Sequence, residues 1–254
     1  MPATFDRTSQ FERSVREVLG PRGSSRLGYV SRSGFAATIG HSALGRPINL
    51  AASGRPRSAT RVLVFGCIHG TECAATGVPT LGPAGCPPAR SDVLRVPNLN
   101  PDGLALGVRT NGRGVDLNRN FPSGWKPIGR RGGPQHSGPR PFSEPETRLA
   151  ARLIRRVRPE VTLWFHQQEA GEMVRAWGGS VPVARRFARL AGLPFHRLPW
   201  LAGTAPNWQN HRFPGTTSFV VELEPGAITR EEEIRLGSSI GRLAEELARE
   251  RARP

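Results

Sequence analysis

The feature that most constrains the fold is a set of short apolar runs separated by segments of helical pattern. Three runs, residues 62–65, 161–165 and 219–223, have the length and the β-branched and aromatic content of buried strands. Helical segments stand between them, and one begins at Ser143-Glu144-Pro145-Glu146, where proline and glutamates suit a first turn. Strands that alternate with helices favour a sheet covered on both faces. The sequence therefore predicts an α/β fold with a mixed, mostly parallel central sheet and helices on both faces.

The length of the chain, 254 residues, suits one large domain. There is no internal repeat and no linker-like segment. We therefore expect a single domain over 1–254, with an N-terminal extension at 1–34, a catalytic core at 35–226 and a C-terminal helix at 227–254. Within the core we also expect two strands in 35–52, a short helix near 71–81, a strand at 93–96 and long loops from 103 to about 142.

The composition argues against several classes of partner. The formal charge is +16, yet the arginines are scattered and lack the aromatic interleaving that binds single strands, so we expect no nucleic-acid partner. No apolar run reaches the roughly 20 residues of a membrane span, and no secretory signal is visible, so we expect no membrane partner and a cytoplasmic location. The three cysteines, Cys67, Cys73 and Cys86, have no framework spacing, which predicts no structural disulfide.

Residues with metal-binding or proton-transfer chemistry stand at the ends of the three apolar runs. His69 and Glu72 follow the first run, His166 follows the second, and Glu222 lies within the third. The carboxyl ends of parallel strands meet at one edge of a sheet, where open α/β folds place their sites. Each residue also has a structural alternative, because a histidine can be satisfied in a core and a buried glutamate can pair with arginine. Their joint position at strand ends favours one site.

The chemistry of that set suits a hydrolytic zinc ion. Two neutral imidazoles and one carboxylate are a known ligand set, and they leave a position for a water whose pKa falls toward roughly 7. A further carboxylate, Glu222, could take a proton from the water and deliver it to the leaving amine. A developing oxyanion needs a permanent cation, and arginine fits that need, although spacing alone does not select which arginine.

The same residues stand inside longer motifs. In chain order these are His69-Gly70-Thr71-Glu72, Asn100-Pro101-Asp102-Gly103, Arg109-Thr110-Asn111-Gly112-Arg113-Gly114-Val115-Asp116-Leu117-Asn118-Arg119-Asn120-Phe121-Pro122, Ser143-Glu144-Pro145-Glu146-Thr147, His166-Gln167 and Val221-Glu222-Leu223. Together they resemble the zinc carboxypeptidases of the carboxypeptidase A type. The compact form of the chain is most similar to the bacterial murein peptide amidases within that family.

The resemblance implies metal-binding and catalytic roles at matching positions. One zinc ion per chain would be held by His69, Glu72 and His166. Arg109 would polarise the scissile carbonyl and stabilise the oxyanion, and Glu222 would be the general base.

The resemblance also implies how a substrate is held. Asn118 and Arg119 would bind the free carboxylate of the terminal residue. The family's mobile tyrosine has no counterpart in 199–203, where Trp200 stands instead, and the side-chain pocket would fall near Asn207. Diaminopimelate, the terminal residue that murein amidases remove, carries a second carboxylate, and Arg175 and Arg212 are the candidates to bind it.

The function predicted is that of a zinc metallocarboxypeptidase or amidase. It would hydrolyse the C-terminal peptide bond of short peptides that have a free carboxylate, of the murein-derived γ-D-Glu-diaminopimelate type. Two alternatives stay open, a zinc deacylase of N-acyl amino acids and a non-catalytic basic binding protein with a relic site. The sequence does not fix the preferred terminal residue, its chirality or the oligomeric state.

Overall fold

The structure is a computed structural model that describes residues 27–29, 35–54, 58–78 and 88–253. Most of the expected N-terminal extension lies outside the described residues, as does Cys86. Among the described residues, no helix has both the length and the apolar content needed to cross a membrane.

One sheet of nine strands forms the centre of the described chain. In chain order the strands are β1 (Leu27–Tyr29), β2 (Phe35–His41), β3 (Pro47–Gly54), β4 (Arg61–Phe65), β5 (Asp92–Val96), β6 (Val161–Gln167), β7 (Met173–Ala176), β8 (Phe195–Arg197) and β9 (Thr217–Leu223). Their order across the sheet is β1-β2-β3-β5-β4-β6-β9-β7-β8. The four central strands, β5, β4, β6 and β9, are parallel. Antiparallel pairing joins β1, β2, β3 and β5 on one side and β9 to β7 on the other.

Five α-helices accompany the sheet in the described chain. They are α1 (Pro101–Leu106), α2 (Pro145–Val157), α3 (Val181–Ala191), α4 (Ala205–Arg212) and α5 (Arg230–Arg251). Helix α5 begins with a capping box, in which the Thr229 side chain accepts from the amide of Glu232 and the Glu232 carboxylate accepts from the amide of Thr229.

Alternate residues of the central strands pack into two separate cores, because successive side chains of a strand point to opposite faces. On β4, Leu63 and Phe65 join the core beneath α2 and α4. Val62 and Val64 join the core beneath α3 and α5. The sheet is therefore covered by helices on both faces. This confirms the predicted α/β class, with parallel pairing among the four central strands and between β7 and β8 at one edge of the sheet.

Helix α1 is an element that the sequence reasoning assigned to a loop. The Asn100 side chain caps it by accepting a hydrogen bond from the amide of Gly103 at 2.9 Å, and Gly107 ends it in a left-handed conformation with φ of 65°. The expected helix near 71–81 is a single 3-10 turn, Ala74–Gly77, within the described residues. At α2 the residue at the cap position is Glu144, one residue after the predicted serine.

The prediction that no cysteines are paired is wrong, because Cys67 and Cys73 form a disulfide bond. Cys67 has a positive φ of 50°, and the turn that follows brings the two Cα atoms to 4.4 Å. This distance lies at the short end of the range that a disulfide spans. A six-residue spacing has no counterpart among the common disulfide frameworks, so the sequence pattern gave no signal for the bond.

Candidate metal centre and substrate cavity

The candidate metal-binding and catalytic residues lie at the carboxyl edge of the parallel strands. His69 and Glu72 stand in the loop after β4, His166 is near the end of β6, and Glu222 is near the end of β9. His166 and Glu222 are direct register partners on neighbouring strands. The three strand ends meet at this edge in the structure, and the side chains of all four residues line one cavity.

Three side-chain atoms converge to form a candidate metal centre. Nδ1 of His69 lies 2.9 Å from Oε2 of Glu72, and Nδ1 of His166 lies 2.8 Å from the same oxygen. The two Nδ1 atoms are 3.2 Å apart. Ligands bound to one zinc at about 2.0–2.1 Å in a tetrahedron are separated by roughly 3.3 Å, so this spacing suits a single ion.

The protonation of His69 supports a cation at that point. Its Nε2 lies 3.0 Å from Oδ1 of Asp116, a carboxylate that can only accept, so Nε2 carries the proton. In the neutral ring Nδ1 then presents a lone pair to Glu72 and to His166. Electron-rich atoms at such distances repel one another unless a proton or a metal cation lies between them. The residues present therefore fit a zinc ion.

Close backbone packing fixes the loop that carries His69 and Glu72. A Cβ at Gly70 would lie 2.0 Å from the backbone of Gly103, so only glycine allows this approach. Asn100, which is fully buried, donates from Nδ2 to the carbonyl of Ile68 at 3.2 Å and to that of Thr110 at 3.2 Å. The Asn-Pro-Asp-Gly motif thus joins the loop of the candidate ligands to the segment that begins at Arg109.

Asp116 is a site residue to which the sequence reasoning gave no role. It is fully buried, and besides His69 it accepts a hydrogen bond from Nε of Arg109 at 3.2 Å. Such carboxylates orient metal-binding histidines and raise their basicity. Its position inside the Asp-Leu-Asn-Arg block of the longer motif was the available signal.

Burial and ion pairing shift the pKa values of this cluster in opposite directions. Burial alone would lower the pKa of His69, yet the carboxylates of Asp116 and Glu72 raise it above its usual value. Burial alone would raise the pKa of Glu72, but hydrogen bonds from His166 and His69 hold it well below its usual range. The pKa of Asp116 is likewise low, because His69 and Arg109 outweigh its burial. Both carboxylates are thus ionised and ready to support a cation.

Gln167 is a second residue without a predicted individual role. Its amide donates to Glu72 Oε2 at 3.2 Å, and its side-chain oxygen accepts from the amide of Ala74 at 2.9 Å. Its Nε2 donates to the carbonyls of Glu224 and Gly226. One glutamine therefore connects the ends of β6 and β9 to the loop of the candidate ligands.

The cavity above the candidate metal centre has a volume of about 160 Å³. Besides the four candidate site residues and Arg109, its walls carry two further arginines, two glutamines, an asparagine, a tryptophan and small or apolar residues. These are Asn118, Arg119, Gln167, Gln168, Arg175, Pro199, Trp200, Leu201, Thr204, Pro206 and Val220.

Three arginines share this cavity. Nη1 of Arg109 contacts Oε1 of Glu72 at 2.5 Å, Nη1 of Arg119 donates to the carbonyl of Asn118 at 2.8 Å, and Nη1 of Arg175 pairs with Oε1 of Glu222 at 2.8 Å. Burial lowers the pKa of Arg119, and the positive charges of Arg109 and Arg175 act in the same direction. Arg212, the other candidate for a second carboxylate, is exposed at the end of α4 over the ring of Phe213 and is not among the lining residues.

The other residues predicted to bind substrate differ in where they lie. Asn118 lines the cavity, with Nδ2 at 3.4 Å from Nε2 of His166 and Oδ1 accepting from the amide of Ala205. Trp200 also lines it and packs against both cores. Asn207 is not among the lining residues, and its Nδ2 lies 3.5 Å from the carbonyl of Leu201, so it supports the wall from behind.

Comparison with known proteins gives this site a family context. Residues 90–183 match the profile of the Peptidase_M14 zinc carboxypeptidase family. This segment of the chain is similar to the zinc carboxypeptidases. Murein peptide amidase A of Escherichia coli K12, a curated relative, is 42% identical over 79 residues, which are 27% of this chain and 33% of that protein. The matched part thus spans about a third of the relative's length.

Solved zinc carboxypeptidase folds extend the likeness to most of the chain. Murein-tripeptide amidase of Escherichia coli O157 has a TM-score of 0.62 at 24% identity and covers 87% of this chain and 94% of its own. Carboxypeptidase A of Helicoverpa armigera has a TM-score of 0.67 at 17% identity and covers 86% of this chain and 68% of its own. At these identities the likeness shows the fold. The predicted resemblance to zinc carboxypeptidases, and among them to murein peptide amidases, is confirmed.

Proposed function

We propose that the protein is a zinc metallocarboxypeptidase that hydrolyses the C-terminal peptide bond of short peptides with a free terminal carboxylate. A single domain would carry the activity. The observation that carries this proposal is the convergence of three candidate zinc ligands and a separate carboxylate, Glu222, on one cavity that also holds three arginines. A binding protein has no need for that separate carboxylate beside the metal ligands.

The metal would be held by Nδ1 of His69, Oε2 of Glu72 and Nδ1 of His166, the three atoms that converge. Zinc bound by such a set polarises a carbonyl and makes water acidic enough to ionise near neutral pH. Asp116 would keep Nδ1 of His69 free to bind the metal by holding the proton at Nε2.

Glu222 would serve as the general base and then as the general acid. Its carboxylate faces the same cavity as the candidate ligands, and it is His166's register partner. We propose that it takes the proton of the attacking water and then delivers it to the nitrogen of the leaving amine. Because its side chain is 7% exposed, bulk water does not compete for that proton.

The arginines would position the substrate and stabilise charge. Arg109, at the cavity wall beside Glu72, would support the oxyanion that develops on the scissile carbonyl. Arg119, with Asn118 beside it, would bind the terminal carboxylate. A grip on that carboxylate holds the neighbouring bond at the reactive centre, which restricts cleavage to chain ends.

We further propose that the substrates are murein-derived and end in diaminopimelate. This part of the proposal is supported by the names of two similar proteins. The curated relative is a murein peptide amidase, and one of the similar solved structures is a murein-tripeptide amidase. The arginine-rich cavity supports it, because diaminopimelate has two carboxylates.

A zinc and substrate panel tests the proposal. Purified protein is analysed for metal, stripped with a chelator and reloaded with zinc. Hydrolysis is then followed by mass spectrometry on L-Ala-γ-D-Glu-diaminopimelate, on the same tripeptide amidated at its terminal carboxylates, and on N-acetyl amino acids. We expect one zinc per chain, release of diaminopimelate from the free tripeptide and little reaction of the amidated one.

Three other outcomes would contradict the proposed function in whole or in part. Less than about half an equivalent of zinc, with no recovery on reloading, would contradict the enzyme assignment. Faster hydrolysis of N-acetyl amino acids than of any peptide would indicate a deacylase. Equal rates on free and amidated tripeptides would contradict the role of Arg119.

A further inference from the structure

We infer that Arg175 selects substrates whose terminal residue carries a second carboxylate, and that the same carboxylate releases Glu222 for catalysis by drawing Arg175 away from it. This inference rests on the proposed function. It goes further by assigning the selection to one residue and by coupling it to the catalytic step.

The position of Arg175 suits it for both tasks. It lies on β7 opposite Val220 of β9, and Glu222 follows two residues further along β9. Directly paired residues of neighbouring strands share a face of the sheet, as do residues two apart on one strand. Arg175, Val220 and Glu222 therefore stand together on the cavity wall, and all three are lining residues.

The present contact of Arg175 engages the proposed base. Its Nη1 lies 2.8 Å from Oε1 of Glu222, whose side chain is 7% exposed while that of Arg175 is 27% exposed. In the part of the chain that the structure describes, this is the one side-chain bond recorded for Arg175. A carboxylate oxygen that accepts a charge-assisted hydrogen bond is held in place by its donor and is less free to bind another partner. The contact thus restrains Glu222 while no substrate is bound.

A second observation shows that the guanidinium has unused binding capacity. Nε of Arg175 is buried and has no hydrogen-bond partner among the described residues. A buried donor without a partner is unfavourable, because it has lost its hydrogen bonds to water. An incoming carboxylate could accept from Nε and from one Nη in a bidentate pair, which satisfies that donor.

The positive charge of the cavity favours a ligand with more than one anionic group. Three guanidinium groups line it against two carboxylates, and a zinc ion would add two more positive charges. The positive charges of Arg109 and Arg175 already act against that of Arg119. If the substrate has one carboxylate and Arg119 binds it, Glu222 remains the anionic partner of Arg175. A second substrate carboxylate would complete the pairing.

The coupling has a kinetic consequence. When Arg175 moves to the substrate, Oε1 of Glu222 loses its restraint and can accept the proton of the attacking water. A second carboxylate should therefore raise kcat as well as lower KM. A peptide that lacks it would leave Arg175 on Glu222 and react slowly even at saturation.

Two tripeptides that differ by one carboxylate test this inference. Lysine is diaminopimelate without its second carboxylate, so L-Ala-γ-D-Glu-diaminopimelate and L-Ala-γ-D-Glu-L-Lys form a matched pair. Both are assayed with the zinc-loaded parent, with Arg175→Gln and with Arg175→Lys. Arg197→Gln is the control, since Arg197 is an exposed arginine on the adjoining strand β8, over the ring of Trp177. Zinc content and melting temperature are measured for each variant.

We expect the parent to prefer the diaminopimelate peptide by roughly 100-fold in kcat/KM, the size expected for loss of a charged partner at a partly buried site. Arg175→Gln should lower that preference to roughly fivefold or less, and its kcat on the lysine peptide should equal or exceed that of the parent. Arg175→Lys should give an intermediate preference, because lysine keeps the charge but lacks the planar fork. Arg197→Gln should behave as the parent.

Equal parent rates on the two peptides would overturn the inference while leaving the proposed function in place. The same conclusion follows if Arg175→Gln slows hydrolysis of both peptides by the same factor, because the arginine would then only position Glu222. If Arg175→Gln does not fold, Arg175→Lys decides by the same criterion. A parent that cleaves neither peptide contradicts the proposed function itself.

Discussion

Buried acidic residues lie at both edges of the central parallel strands, but their pKa values are shifted in opposite directions. At the carboxyl edge, histidines and an arginine pair with Glu72 and Asp116 and keep the pKa of each well below its usual range. At the amino edge, burial dominates and raises the pKa of Asp92 to about 7, although Arg61 acts in the opposite direction. Burial likewise raises the pKa of Glu160, which precedes β6. The same sheet thus holds ionised acids at one end and destabilised ones at the other.

The amino edge is closed by the C-terminal part of α5. Glu245 of that helix accepts from the amide of Arg90 at 2.8 Å and from the hydroxyl of Ser91 at 3.2 Å. Asp92 begins β5 and is the register partner of Arg61. None of these residues lines the cavity described above, so we assign the raised pKa of Asp92 to its burial in the structure and give it no part in catalysis.

The comparison teaches that a perturbed pKa alone does not mark a site. By that criterion Asp92 would be as good a candidate as Glu72. The carboxyl edge differs because its donor atoms converge on a point beneath an open cavity. We therefore expect substitutions at the carboxyl edge to change metal binding or catalysis, and those at the amino edge to change stability.

The largest effect should come from Glu222→Gln at the carboxyl edge. The amide keeps the volume and can still accept from Arg175, but it cannot take a proton. We expect kcat to fall by roughly 10³- to 10⁴-fold, at unchanged zinc content and melting temperature. Steady-state kinetics with metal analysis measures this, and activity within a few-fold of the parent would remove Glu222 from its role.

Asp92→Asn tests the amino edge and should change stability alone. In the parent, the unfolded chain loses the Asp92 proton near pH 4 while the folded protein keeps it to about pH 7. The free energy of unfolding therefore falls as pH rises through this window and is level above it. Asparagine removes that loss, so the variant should gain up to roughly 4 kcal/mol over the parent at pH 8, at 1.36 kcal/mol per pKa unit, and little at pH 4.

Urea unfolding of Asp92→Asn and parent at several pH values measures the gain. Hydrolysis by the variant should equal that of the parent. A gain that does not depend on pH, or a loss of activity, would contradict the division between the two edges.

Asp116→Asn should weaken zinc binding by about 10- to 100-fold, because the partner that orients His69 loses its charge. Competition with a chelator measures the affinity. Glu245→Gln at the amino edge is the matched control, since it changes a buried carboxylate of similar exposure. Equal zinc affinities for the two variants would mean that Asp116 does not support the metal.

Reduction of the Cys67–Cys73 bond should have the smallest effect. The bond closes a loop of about seven residues around His69 and Glu72, and the chain-entropy estimate for a loop of that length is about 2 kcal/mol. We expect metal-free protein to unfold more easily after reduction and zinc to restore most of the loss, because the ion holds the same loop. Thermal unfolding with and without reductant and zinc checks this. A loss that zinc leaves unchanged would show that the bond acts elsewhere than on the ligand loop.

The sequence predicted most of this arrangement where local patterns carry the information. The strands around 62–65, 161–165 and 219–223 and the C-terminal helix were predicted because their hydrophobic patterns are local. The placement of His69, His166 and Glu222 at one edge followed from the parallel sheet. Helix α1 was missed because the glycine within it weakens the helical pattern, although Asn100 and Pro101 suit a helix start.

What the sequence could not supply depends on contacts between distant segments. The pairing of Arg175 with Glu222 spans 47 positions and arises only when β7 lies against β9. The contact of Asp116 with His69 is also 47 positions long. Asn207 and Arg212 were candidates because they lie near the expected pocket in sequence, but their orientation on α4 places them outside the lining.

The central claim, that the carboxyl edge forms one zinc centre, is tested most directly by crystallography at the zinc absorption edge. We predict a single anomalous peak within about 2.0–2.2 Å of Nδ1 of His69, an Oε atom of Glu72 and Nδ1 of His166. A peak held by other residues, or no peak here in zinc-loaded crystals, would contradict the account.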